Sequence, residues 1–243
     1  MTALNGTAAL TRLALRRDRF MLSAWVLGLA TLLAGIVAGN INPLTDDDLV
    51  RETEFNAGSP ALRLFGLASA PSAGGYAMLR SFVMLAVLAA LMSTLAVVRP
   101  TRQSEETDRA ELVGAAVVGR HASLASAVLV TVGANLVLAV VLGLALIVPG
   151  QPVASSFSAG ASVGAVGIVF AGVAAVTAQL SSTTRGANGL AATVLGVAFL
   201  LSGVGNMLGS VDGSGLRVVS AWPAWLSPIG WGEQMRPFGG DHW

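Results

Sequence analysis

Long apolar stretches alternate with short polar segments along this chain, and the alternation predicts its architecture. Five stretches carry no charged residue, at 21–39, 81–98, about 122–148, about 153–180 and between Arg185 and Asp212. A helix needs about 20 apolar residues to cross the hydrocarbon core of a bilayer. The pattern therefore predicts an all-α integral membrane protein with five transmembrane helices.

The polar segments divide the chain into seven parts. We predict an interfacial helix at 1–20, a first span at 21–39, an outer loop at 40–80, a second span at 81–98, a charged inner loop at 99–120, spans three to five at 121–211 and an outer segment at 212–243. In the first part, Arg12, Arg16 and Arg19 fall on one side of a helical wheel, which favours a helix lying in the membrane interface. A basic tail that only sets the topology is the alternative.

Two outer segments are predicted to lie in water or at the membrane surface. The three aspartates at 46–48 lack the spaced glycine and distal glutamate of a calcium-binding loop, so we predict a solvated acidic loop. Trp222, Trp225 and Trp231 lie among prolines after the fifth span. Because amphipathic aromatic rings settle at the headgroup level, we predict that this segment lies in the outer headgroup region.

Composition and charge agree with a membrane protein of defined orientation. Of 243 residues, 54% are hydrophobic and 11% are charged, against about 25% charged in soluble domains, and the mean hydropathy is +0.72. With the N-terminus in the cytoplasm, nine arginines lie inside and five outside, in agreement with the positive-inside rule. A cleaved signal peptide is disfavoured, because the first apolar run is too long and lacks a small-residue cleavage site.

Missing residue types exclude several kinds of chemistry. The chain has no cysteine, which excludes disulfide and thiolate chemistry. All fourteen of its basic residues are arginine, so it has neither the phosphate-binding lysine of a P-loop nor a lysine for a Schiff base. Its histidines, His121 and His242, lie on opposite sides of the predicted membrane. We therefore predict that the chain is not an enzyme, does not hydrolyse ATP by itself, and binds no metal, cofactor or nucleic acid.

Charge is concentrated in the inner loop at 99–120. Ser104 can cap a helix whose first turn carries Glu105 and Glu106, and carboxylates there complement the helix dipole. Glu105 and Arg109 stand four residues apart in the favourable order, and the segment becomes apolar toward its end. This pattern predicts a short helix at the membrane surface, which either binds a partner or only keeps the loop in water.

Three polar residues inside the spans are candidates for lining a transport path: Asn135, Gln179 and Asn206. The alternative for each is a hydrogen bond to a neighbouring helix, which is an ordinary packing device in membranes. A proton-driven transporter generally needs an ionisable group at membrane depth, and the five stretches contain no aspartate, glutamate or histidine. A secondary transporter and a membrane scaffold or sensor are therefore kept only as alternatives to the function below.

The string EETDRAELVGAAVVGR at 105–120 resembles the cytoplasmic segment of ABC-2 type exporter permeases, specifically the actinobacterial group of multidrug and polyketide antibiotic exporters. That group reads E-E-x-G-R-x-E-L-L-L-A-x-P-V-G-R, with Gly, Leu and Pro where this chain has Asp108, Gly114 and Val117. The closing LSPIGWGEQMRPFGGDHW is similar to the family's outer segment before its sixth span, and SPALRLFG at 59–66 is similar to a string in its first outer loop. The resemblance covers most of the chain and implies the N-terminal half of such a permease, without its sixth helix.

This resemblance implies a function and a set of partners. In that family the loop between spans two and three carries a coupling helix that docks on a separate ATP-binding subunit. The residues carried over as contacts to this subunit are Glu105, Glu106, Arg109 and Glu111, with Arg120 as an interfacial anchor. The chain would then be the permease of an exporter in the bacterial plasma membrane, moving a hydrophobic or amphipathic drug or antibiotic. Its partners would be two ATP-binding subunits, which bind ATP and magnesium, and a second permease half.

Overall fold

Five long helices form the body of the molecule. The computed structural model describes residues 5–40, 44–103, 119 and 121–240. In chain order these residues form α1 (Thr7–Asn40), α2 (Asp46–Gly58), α3 (Pro60–Arg63), α4 (Ala73–Val98), a π-helical turn (Arg99–Gln103), α5 (Ala122–Ile147), α6 (Val153–Leu180), α7 (Thr184–Met207), β1 (Ser210–Val211), β2 (Val218–Val219), a 3-10 helix (Trp222–Leu226) and α8 (Pro228–Gln234). Five of these helices, α1 and α4 to α7, are long and apolar enough to cross a membrane. The predicted all-α integral membrane class with five spans is confirmed.

Short connections make consecutive spans antiparallel. Only residues 148–152 separate α5 from α6, and only residues 181–183 separate α6 from α7. The Gly119 amide, just before α5, donates to the Asn5 carbonyl, just before α1, at 2.9 Å, so α1 and α5 begin at the same face of the bundle, where the loop from α4 also ends. We call this the first face. The second face carries α2, α3, the β-hairpin, the 3-10 helix and α8.

The first span is longer than predicted and is continuous with the segment before it. α1 has 34 residues, or about 51 Å at 1.5 Å per residue, which exceeds the roughly 30 Å of hydrocarbon. The helix boundary predicted at residue 20 is wrong, because no proline or glycine interrupts the chain between Thr7 and Gly28. The basic residues therefore lie on an extension of the span. Within it, Arg17 forms a two-point ion pair with the buried Asp18, at 2.9 and 2.7 Å.

The acidic segment after the first span is a helix, so the predicted loop is wrong, whereas Asp46 and Asp47 are exposed as predicted. Thr45 caps α2 by accepting a hydrogen bond from the Asp48 amide, while the Asp48 carboxylate accepts from the Thr45 amide. The aspartates thus occupy the first turn, where they complement the helix dipole. Hydrogen bonds to the Asp48 carboxylate from the Thr45 hydroxyl, at 2.7 Å, and from the Thr45 amide lower the pKa of Asp48 below its ordinary value.

The second span also begins earlier than predicted, at Ala73 rather than at residue 81. Ser72 caps it by accepting a hydrogen bond from the Gly75 amide at 3.1 Å. Gly75 is needed there, because a Cβ on it would lie 2.3 Å from the Ala70 carbonyl oxygen. The segment 73–80, read as part of the outer loop, therefore belongs to the helix.

The bundle has an aliphatic core and an apolar exterior. The principal helix contacts are α5 with α6, α4 with α6 and α1 with α5, and they bury Leu85, Met92, Leu138 and Phe170 completely. Other large apolar side chains point outward from the spans, including Leu129, Leu136, Val137, Leu144, Val176, Leu190, Val197 and Leu200. An outside of this kind suits a bundle surrounded by lipid rather than by water.

The chain after α7 folds back onto the second face. β1 and β2 pair antiparallel, with Ser210 opposite Val219, and the following 3-10 helix and α8 pack on α7, α6 and α4. The three tryptophans predicted at the headgroups stay exposed, at 49% to 72%, whereas Ala224 and Ile229 between them are fully buried. This segment is therefore a cap docked on the bundle.

Candidate functional site

The predicted contacts to a motor subunit lie outside the described residues. These are Glu105, Glu106, Arg109, Glu111 and Arg120, and their role stays a prediction. The flanks of the loop are described. Thr101 in the π-helical turn donates to the Val97 carbonyl at 2.8 Å, and Arg99 donates to the sulfur of Met21 at 3.4 Å. One end of the loop thus meets α1 at Met21, and the other meets Asn5, just before α1.

Asn135 sits at the contact of three spans. It is fully buried in α5, and its amide nitrogen donates to the Ser93 hydroxyl of α4 at 2.8 Å and to the Thr131 carbonyl at 2.9 Å. Its Oδ1 lies 1.8 Å from the position that a Cβ on Gly167 of α6 would take. This geometry is that of an interhelical packing contact, and a role in a transport path stays a prediction.

The other two candidates for a transport path differ from each other in their surroundings. Gln179 is exposed near the end of α6 at the first face. Asn206 is 1% exposed near the end of α7 at the second face. Its amide nitrogen donates to Glu233 of α8 at 2.7 Å, so the structure brings together a predicted residue and one that the sequence reading had placed in a solvent-side loop.

Glu233 is a buried carboxyl group with neutral partners. Only 9% of the residue is exposed, and its Oε2 accepts hydrogen bonds from the Ser202 hydroxyl at 2.6 Å and from Asn206 at 2.7 Å. Its Oε1 is buried and accepts no hydrogen bond within the described part of the chain, although the Leu67 amide is close enough to favour the ionised form. Burial raises the pKa of Glu233 above its ordinary value, and these donors oppose the rise without cancelling it.

A line of hydrogen bonds continues from this carboxyl group toward the hairpin. Asn206 accepts from the Ser220 hydroxyl at 2.8 Å, and Gln234 donates to the same hydroxyl at 2.8 Å. Arg236 then donates to the Gln234 side chain at 3.1 Å and to the Val218 carbonyl at 2.7 Å. The guanidinium is thus held by the hairpin and by Gln234, not by Glu233. Its own burial lowers the pKa of Arg236.

Close backbone contacts dock α8 beside the carboxyl group. Ser227 caps α8, accepting from the Ile229 and Gly230 amides, and donates to the Ala198 carbonyl of α7 at 2.6 Å. A Cβ on Gly230 would lie 2.1 Å from the Ala224 carbonyl oxygen, and one on Gly205 of α7 would lie 2.2 Å from the Ala224 amide nitrogen. Only glycine lets the 3-10 helix fit between α7 and α8 at these points.

Sequence reasoning missed Glu233, although two local signals were present. Ser227 followed by Pro228 is a helix-start pattern, and glycines at 230 and 232 permit close approach to another backbone. Burial itself depends on packing against α7 and α4, which precede Glu233 in the chain by up to about 150 residues. Local sequence patterns therefore do not predict the burial of Glu233.

The fold and this site define a class: the chain is an α-helical, multi-pass membrane protein with a docked cap on one face. Comparison with known proteins gives the family. Residues 8–236 match a family model described as "Multidrug efflux system permease Rv1217c, C-terminal domain", and the chain belongs to that family. It is also 38% identical over 241 residues to the multidrug efflux system permease protein Rv1217c of Mycobacterium tuberculosis.

These matches bear on the predicted resemblance in two ways. The family model and the relative are both described as multidrug efflux permeases, in agreement with the predicted resemblance to ABC-2 type permeases. The aligned region is 98% of this chain but 42% of the relative, so the chain spans less than half of that protein's length. The family model is described as a C-terminal domain, and the assignment to an N-terminal half stays a prediction without support from that description.

Proposed function

We propose that this chain is a permease part of an exporter that moves a hydrophobic or amphipathic compound, of the drug or antibiotic class, out of a bacterial cell. Family membership across residues 8–236 carries the proposal. ATP would be hydrolysed by a separate subunit, because a chain without lysine lacks the phosphate-binding residue of a P-loop. The proposed complex holds two copies of that subunit. A second permease half would complete the path, since the chain spans 42% of its relative.

An apolar groove supports a substrate of this kind. A cavity of about 350 Å³ opens sideways between α1 and α4, where Met21, Trp25, Leu29 and Leu88 line it. These side chains present almost no polar surface, so the groove suits the apolar part of a molecule arriving from the lipid. It begins at Met21, the residue that Arg99 at the start of the charged loop contacts.

The position of the charged loop supports coupling to a motor subunit. We place the first face in the cytoplasm, because the loop and most of the arginines belong to it. The loop connects α4 to α5, and its flanking residues contact Met21 of α1 and Asn5, which immediately precedes the α1 helix. A subunit bound at Glu105, Glu106 and Arg109 would therefore act on three spans at once and drive alternating access.

Co-purification with candidate ATP-binding subunits tests this proposal. The chain would be co-expressed with each candidate as wild type and with Glu105, Glu106 and Arg109 all changed to alanine. A control variant removes the same number of acids and arginines from the second face: Glu52, Glu54 and Arg51 of α2 are changed to alanine. All three control residues are exposed.

The result expected is a complex that wild type and the α2 variant retain and the loop variant loses. A complex that the loop variant retains would overturn the coupling role of these residues. A chain that binds no ATP-binding subunit would favour the scaffold, sensor or secondary-transporter alternatives. Export of a hydrophobic dye from vesicles that contain the complex then tests transport directly.

A further inference from the structure

Glu233 stands apart from every other acid in the described part of the chain. Asp18 is buried but paired with Arg17, and Asp48 and Asp212 are at the surface, where hydrogen bonds lower their pKa. Among the acids that the structure describes, Glu233 alone combines burial, a carboxyl oxygen without a hydrogen bond and a pKa to which no described cation contributes. A charged carboxylate in such a place is strongly disfavoured unless a cation accompanies it.

Within the described residues, the groups that contact Glu233 are neutral. α7 contributes Ser202 and Asn206, and the segment before α4 contributes the Leu67 amide. Next to Glu233, Gly232 packs against the ring of Phe82 in α4 and against Val166 in α6. No charged side chain from α4, α6, α7 or the cap contributes to the pKa of Glu233 within the described residues.

The hydrogen bonds fit a neutral carboxyl group as well as a charged one. A serine hydroxyl both donates and accepts, so the 2.6 Å contact with Ser202 can hold a proton on the Glu233 side. Asn206 can donate to Oε2 in either state. The site therefore accommodates a proton without rearrangement of its heavy atoms.

We propose that the Glu233 carboxyl is a proton-binding site, occupied at neutral pH while α8 is docked on α7. When α8 leaves α7, the carboxyl group meets water and releases the proton to it. Docking of the cap is then coupled to uptake of one proton from the second face. The inference concerns this chain's own cap and does not depend on the proposed transport.

Infrared spectroscopy of the 243-residue chain in detergent tests proton occupancy directly. Wild type at neutral pH should show the carbonyl stretching band of a protonated carboxylic acid, and Glu233→Gln should lose it. The matched control is Glu52→Gln, at an exposed glutamate of α2, which should keep the band. A wild-type spectrum without this band at neutral pH, or a band that survives Glu233→Gln, overturns the proposal.

The pH dependence of unfolding gives a second and independent readout. Because the folded-state pKa of Glu233 lies above its ordinary value of 4.5, its contribution to stability is fully present below that value. It is lost as the pH rises through the folded-state pKa. As the pH rises from the ordinary pKa of Glu233 to its folded-state pKa, wild type should therefore lose stability relative to Glu233→Gln. Parallel pH profiles of the two proteins would overturn the proposal.

A second variant keeps the test decisive if Glu233→Gln does not fold. The Ser202 hydrogen bond lowers the pKa of Glu233. In Ser202→Ala, the pH at which half of the infrared band is lost should therefore be higher than in wild type. An unchanged midpoint contradicts the assigned site. If the infrared band is absent and sodium chloride stabilises the protein while choline chloride does not, the Glu233 site binds a metal cation and not a proton, and the proposal is overturned.

Discussion

Gly160→Ala tests the closest approach of α6 to the backbone of α5. A Cβ on Gly160 would lie 2.0 Å from the Ala139 carbonyl oxygen and 3.0 Å from the Gly143 amide nitrogen. Both atoms belong to backbone, which cannot swing aside as a side chain can. Real Cβ contacts essentially never fall below 3.0 Å, so the two helices must separate by about 1 Å to admit the methyl group.

The magnitude follows from two opposed effects. Alanine is favoured over glycine inside a helix by about 1 kcal/mol. A gap of about 1 Å forfeits up to roughly half of each van der Waals contact across the interface, and overpacking of this kind costs about 1–3 kcal/mol. Gly172→Ala in the same helix isolates the first effect, because nothing lies within 4 Å of its Cβ position. Gly160→Ala should therefore be less stable than Gly172→Ala by about 1–3 kcal/mol.

Unfolding of both variants by sodium dodecyl sulfate, followed by circular dichroism in mixed micelles, measures this difference. Gly172→Ala should equal or exceed wild type in its free energy of unfolding, and Gly160→Ala should fall below Gly172→Ala. Equal free energies for the two variants would refute the reasoning, because the α5–α6 contact would then have room for a methyl group.

Two further predictions concern hydrogen bonds between separate elements. A double-mutant cycle of Asn135→Ala and Ser93→Ala, measured by the same unfolding assay, should give a coupling of about 0.6 kcal/mol, the usual worth of such a bond between spans; no coupling would mean that the 2.8 Å contact does not form. Arg63 is buried and donates to the carbonyl groups of Gly209 and Ala57, so Arg63→Ala should increase proteolysis of the second face, whereas Arg51→Ala, at an exposed arginine, should not.

The spans could be predicted from the sequence because the requirement on them is local. Any helix that crosses lipid must supply an apolar run of sufficient length, and all five runs lie in helices long and apolar enough to cross a membrane. Their ends were harder to place, since capping decides them. Thr45 with Asp48, and Ser72 with Gly75, are local signals that the composition of an acidic or Gly-rich loop concealed.

The buried polar contacts could not be predicted, because they join residues distant in the chain. Asn135 meets Ser93 across 42 positions, and Asn206 meets Glu233 across 27. The sequence identified both asparagines as polar residues within spans, which was sufficient to select them. It gave no partner for either, since the partner follows from which helices pack together.

The position of Glu233 decides what a proton there can do. Ser202, which contacts it, lies five residues from the end of α7 at Met207, or about 8 Å along the helix, but 18 residues, or about 27 Å, from Thr184 at the first face. A proton on Glu233 therefore exchanges with the second face alone. A proton-driven carrier must take up and release its proton on opposite sides of the membrane, so this buried acid fits a switch on the cap rather than a source of driving force for transport.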